Sequence, residues 1–153
     1  MYEEIILGFF LGFFAFIGED ILRRWLDERS VRKRVLKNLI SEVRENKRIQ
    51  DVSTWVSLQK NAWDEAKSTG VVMDLREDLR ARLIDLYARI TEKNELLVYH
   101  RIGISEFQGR GLGISDATGN VVTPLTQIIG DLTTALRTDF DSIVPLLEEA
   151  LDC

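Results

Sequence analysis

The chain has 153 residues, of which 45% are hydrophobic and 29% charged, and a formal net charge of −5 at pH 7. That is about one domain's worth of chain, with the composition of a folded protein and not of a disordered one. One cysteine, Cys153, and one histidine, His100, leave no disulfide framework, no CxxC pair and no multi-histidine metal site within a chain.

The net charge conceals a polarised distribution. Ten of the 20 Lys and Arg residues lie between Glu19 and Arg48 against six acids, whereas beyond residue 110 Arg137 faces seven acids. The chain is basic behind its first segment and acidic at its far end.

That first segment, IILGFFLGFFAFIGEDILRRW, is uninterruptedly apolar from Ile5 to Gly18. Fourteen residues of helix reach ~21 Å, short of a ~30 Å hydrocarbon core. Tyr2 and Trp25, however, bracket a length of ~35 Å, as interfacial aromatics do. Five of the seven Phe residues crowd into positions 9–16, and the stretch is apolar on every side, unlike an amphipathic core helix. Its acidic start and the Phe-Ile-Gly at 16–18 do not suit a cleaved signal. The cations that follow, beginning with Arg23 and Arg24, put the N-terminus outside by the positive-inside rule. Residues 1–26 are therefore expected to form a transmembrane anchor, with Tyr2, Arg23, Arg24 and Trp25 at the interfaces. Within it Gly8, Gly12 and Ala15 make a small-residue stripe along which two helices could approach, a candidate for oligomerisation.

Residues 27–153 are expected to form a small cytoplasmic antiparallel helix bundle. From Ser30 onward Val35, Leu36, Leu39, Ile40 and Val43 recur at helical steps beneath a basic face, either as a continuation of the first helix or as a new one capped by Ser30. A second helix is expected from Asp51 or Ser53 to Gly70, with Trp55, Leu58, Ala62 and Ala66 on one face and Trp63 beside them. A third starts with Asp74 as cap and Glu77 three residues on, burying Leu75, Leu79, Leu83, Leu86, Ile90 and Leu97.

The segment 103–120 holds five glycines without helical period and reads as a loop. Gly109, Gly111 and Gly113 alternate as in some phosphate-cradling loops, but the Gly-Lys-Ser/Thr ending is missing. A fourth helix opens at Thr123-Pro124 and turns Leu125, Ile128, Ile129, Leu132 and Leu136 inward. A last short helix starts near Asp141, with Pro145 in its first turn and Leu146, Leu147 and Leu151 inward.

Two resemblances add to this reading. The stretch NAWDEAKSTG, followed by the helix ending YARITEKNELL, resembles a broad set of uncharacterised prokaryotic proteins that pair an N-terminal membrane helix with a short helical cytoplasmic domain. It covers roughly residues 35–100 and implies an architecture but no activity. In TEKNELLVYHR, the residues Lys93, Asn94 and His100 loosely resemble the Arg-Asn…His signature of HEPN ribonucleases, all-helical domains in which Arg and His from two subunits meet around an RNA phosphate. That resemblance implies His100 as general acid or base and Lys93 as the cation, although lysine lacks the planar two-pronged phosphate contact of arginine.

The sequence thus points to an all-α protein of the inner cell membrane, N-terminus outside. Its expected role is a non-catalytic interaction protein, self-assembling or an accessory subunit of a larger membrane complex. The expected partners are the lipid bilayer and copies of itself or other membrane subunits; no cofactor, metal, nucleic acid or small-molecule substrate is expected. The alternative is an oligomeric HEPN-like ribonuclease or pore-forming defence effector.

Overall fold

The structure, a computed structural model, describes the backbone of residues 2–109 and 122–152 and the side chains of 18–19, 21–103 and 125–152. Every described element is helical: α1 (Tyr2–Val52), α2 (Asn61–Ser68), a 3₁₀ turn (Val71–Asp74), α3 (Glu77–Gly109) and α4 (Val122–Asp152). The chain divides into two compact units, Met1–Arg34 and Val35–Cys153. Among the described residues no helix is long and apolar enough to cross a membrane. The side chains of residues 1–17, which carry most of the apolar run, lie outside that description.

In the first unit α1 is unbroken at Ser30. The Ser30 hydroxyl donates to the Asp27 carbonyl at 3.1 Å, a bond within the helix rather than a cap. Ser30 thus sits inside a continuing helix, the first of the two arrangements its sequence allowed.

The second unit is built on three apolar stripes with alternating three- and four-residue steps. From α1 come Leu36, Leu39 and Val43, from α3 Leu79, Leu83, Leu86 and Ile90, and from α4 Ile129, Leu136, Phe140, Ile143 and Leu147, all buried. Side-chain pairs set the directions. Gln50 reaches the Thr133 carbonyl while Arg44 pairs with Glu148, so α4 runs antiparallel to α1. Arg89 meets Asp139 and Arg76 meets Glu149, so α4 is antiparallel to α3 as well. It follows that α1 and α3 run parallel, with residues 53–76 carrying the chain back between them. The expected antiparallel arrangement therefore holds for α4 alone.

Residues 53–60 are not helical, and the second helix is only eight residues long. The backbone groups of this segment bond to side chains instead of to a helical turn. The Asn46 carboxamide donates to the Gln59 carbonyl and accepts from the Gln59 N–H, both at 2.7 Å. Asn94 does the same at Leu58, at 2.9 and 2.8 Å. Consequently Trp55 lies outside α2 and is exposed, whereas Leu58, Ala62, Trp63 and Ala66 are buried as expected. Gly70 stops α2 with φ +77°, a left-handed conformation that glycine adopts without strain.

The third helix begins at Glu77, and Asp74 closes the 3₁₀ turn instead of capping it. All six residues expected in its buried stripe are buried. The helix also runs on through Gly103 to Gly109, so part of the glycine-rich segment is helical, a local propensity cost of ~1 kcal/mol per glycine overridden by context. Residues 110–121 of that segment, with Gly111 and Gly113, lie outside the described residues.

The last two expected helices are one. Pro145 stands inside α4 on its exposed side, where water can meet the carbonyl that proline's missing N–H leaves open. The buried stripe there follows Ile129, Thr133, Leu136, Phe140, Ile143 and Leu147; Ile128, expected inward, is exposed. Acids of the far end are used in the bundle, where Glu148 pairs with Arg44 and Asp141 with Lys47, while the far end's Arg137 pairs with Asp51.

Candidate functional site

In the first unit the described part of α1 exposes an apolar face. Ile21, Leu22, Trp25 and Leu26 are 61, 56, 51 and 51% exposed, and their spacing places them on one side of the helix. Arg23 pairs with Glu19 at 3.2 Å, and the Arg29 guanidinium lies 5.3 Å over the Trp25 ring. Of the interface residues named from the sequence, Arg23, Arg24 and Trp25 are exposed. Tyr2 is helical, and its side chain lies outside the described residues. Gly8, Gly12 and Ala15 lie on the helical backbone as one stripe, and their surroundings are likewise outside the description.

In the second unit Lys93, Asn94 and His100 share α3 but turn to three different partners. Asn94 is committed to the main chain of Leu58. The His100 ring packs on Trp55, with centroids 4.7 Å apart and planes 31° from parallel. Lys93 occupies the heptad position between Ile90 and Leu97, is fully buried, and its Nζ has no hydrogen-bond partner. Burial first, and the Arg137 charge second, push its pKa down to about 8.

Lys93 belongs to a polar layer at one end of the core. Gln50 donates to the Thr133 carbonyl at 2.5 Å, and its own main-chain carbonyl accepts from Arg137 at 3.1 Å. The Gln50 Oε1 is buried and, like Lys93 Nζ, has no partner. Extending the α1 heptad past Val43 to Asn46 and Gln50, and the α3 heptad through position 93, would have located this layer from the sequence.

A second polar centre escaped the sequence reading entirely. Glu42, buried on α1, accepts from the Ala62 N–H at 2.7 Å and from the Trp63 N–H at 3.3 Å. Those are N–H groups of the first turn of α2, whose own flanking residue, Lys60, makes no side-chain cap. Glu42 therefore caps a helix from another one, where the partial positive charge favours a carboxylate. Its Oε1 also accepts from the Tyr87 hydroxyl at 2.7 Å, and Tyr87 stacks on Trp63 at 4.8 Å with planes 4° apart. Burial and the Glu42 charge push the Tyr87 pKa far up, so the phenol stays a donor. The only signal in the sequence was an acid inside an apolar stripe.

Beside Glu42 runs an open polar groove of about 610 Å³ lined by Asn38, Glu45, Gln59 and Glu65. Asn38 already donates to Glu65 at 3.1 Å. Among the described residues no cluster of His, Cys, Asp and Glu could hold a metal ion. Glu42, Asn46 and Asn94 thus serve helix capping and loop fixation, whereas the apolar face of α1 has no such role.

Compared with protein-family models, curated proteins and solved structures, the chain matches none.

Proposed function

We propose that this chain is a non-catalytic, membrane-attached interaction protein. Residues 1–26 anchor it as a single-pass helix in the inner cell membrane with the N-terminus outside. Residues 27–153 form a cytoplasmic helical module acting as a homo-oligomer or an accessory subunit of a larger membrane complex. The observation that supports this reading is the exposed apolar face of Ile21, Leu22, Trp25 and Leu26, which follows the apolar run of Ile5–Gly18 after Glu19 and Asp20. Large side chains half exposed on one helix side are costly in water and stable in an acyl environment. In the second unit Glu42, Asn46 and Asn94 bond to the chain's own backbone, a structural use of these side chains that fits an interaction role.

The experiment is fractionation of cells expressing the full chain. The protein should pellet with membranes, resist an alkaline carbonate wash and enter solution only with detergent. Recovery in the high-speed supernatant without detergent would overturn the anchor. The mass of the detergent-solubilised species then separates self-assembly from membership of a larger complex. The ribonuclease reading gains nothing from the placement of Lys93, Asn94 and His100.

A further inference from the structure

We propose that the stretch of α1 from Leu22 to Lys33 binds anionic phospholipid headgroups, with Arg29, Arg32 and Lys33 engaging the phosphate. This rests on the membrane attachment proposed above and names the lipid class that the attachment selects.

Along one side of α1 the chemistry changes in a fixed order. Leu22, Trp25 and Leu26 are exposed and apolar. Arg29 follows Trp25 by four residues, and its guanidinium lies over the indole at 5.3 Å. Arg32 and Lys33 follow Arg29 by three and four residues, the spacing that keeps them on the same side. Apolar side chains flanking an indole, then cations, follow the order of depth in one leaflet: acyl chain and interface, then phosphate.

The charge balance separates this cluster from the cations before it. Arg23 and Arg24 stand among Glu19, Asp20, Asp27 and Glu28, and Arg23 is paired with Glu19. From Arg29 to Lys37 there are five cations and no acid. A guanidinium held over an indole keeps its N–H edges for a phosphate oxygen. A nucleic-acid backbone would satisfy the cations but offers nothing to the exposed Ile21, Leu22 and Leu26, whereas a lipid surface satisfies both.

The test uses the full chain purified in detergent. Retention of short-chain phosphatidylglycerol and of phosphatidylcholine is measured by native mass spectrometry. The parent is compared with a triple variant, Arg29→Gln, Arg32→Gln and Lys33→Gln, whose helix content is checked by circular dichroism. The three side chains border solvent, so the variant should keep its fold. The parent should prefer phosphatidylglycerol, and the variant should lose that preference by roughly fivefold per cation, on the order of 100-fold in all. Equal retention of both lipids by the parent, or an unchanged preference in the variant, would overturn the proposal. So would displacement of the lipid by inorganic phosphate, or tighter binding of a short single-stranded RNA at the same residues. A parallel flotation with phosphatidylcholine vesicles separates the two levels. Flotation without lipid preference refutes the headgroup site and keeps the anchor, while failure to float with any vesicle removes both.

Discussion

Asn94 and Leu58, 36 positions apart, exchange two hydrogen bonds: the carboxamide oxygen accepts from the Leu58 N–H at 2.8 Å and its nitrogen donates to the Leu58 carbonyl at 2.9 Å. Together with the same exchange between Asn46 and Gln59, it fixes a non-helical segment against two helices. Asn94→Ala leaves a donor and an acceptor of the main chain unmet in a half-buried place. A loss of about 2–4 kcal/mol is expected in denaturant unfolding of the detergent-solubilised chain. A change within experimental error would show that water replaces the clamp at no cost.

Lys93→Met should stabilise the bundle, because it replaces a buried, unpartnered cation by an apolar chain of similar size. The pH dependence carries a sign. With a folded-state pKa lowered from 10.5 to about 8, the unfolded chain holds a proton between these values that the folded chain has released. The parent should therefore gain stability as pH rises from about 8 to 10.5, by roughly 3 kcal/mol at most, and stay level on this account below. Unfolding curves of parent and variant that run parallel across this window would refute the assignment.

Glu42→Gln removes the charge that caps α2 while keeping an acceptor, and Tyr87→Phe removes one of its donors. Each should cost about 1–2 kcal/mol. Because one change weakens and the other removes the same 2.7 Å bond, the double variant should cost less than the sum. Strict additivity in the double-mutant cycle would place the two side chains in independent roles.

Pro145→Ala restores an N–H to the interior of α4 at an exposed position. Stability should rise by on the order of 1–3 kcal/mol, less what the proline gained by restricting the unfolded chain, and the melting temperature with it. A lowered melting temperature would mean that the helix uses the proline.

Under the proposed function, Gly8→Leu and Gly12→Leu should weaken self-association in membranes, since each fills the stripe along which two backbones approach. Crosslinking that yields the parent's oligomers would remove this stripe as the interface.

His100→Ala should leave RNA cleavage indistinguishable from the parent, because the imidazole packs on Trp55 and Asn94 is bonded elsewhere. Loss of a measurable activity would restore the ribonuclease reading.

Periodicity by itself determined the all-helical class and the apolar stripes: Val35 to Val43 on α1 and Leu79 to Leu97 on α3 were legible, because burial of one side of a helix writes itself into three- and four-residue steps. Glycine's tolerance of positive φ likewise made Gly70 legible as a stop. Lys93 was legible only as a candidate cation and not as part of the buried stripe, since a lysine breaks the apolar pattern even where the heptad continues through it. Asp74 and Pro145 misplaced helix ends for a related reason. Both carry strong local preferences, and the local signal for a cap or a break does not include the neighbours that offset it.

Only the tertiary structure decided what the polar residues of the bundle do. A carboxylate such as Glu42, or a carboxamide such as Asn46 or Asn94, carries no mark of its partner in the sequence. The N–H and carbonyl groups it meets belong to the main chain, which is the same at every residue, and they lie from 13 to 36 positions away.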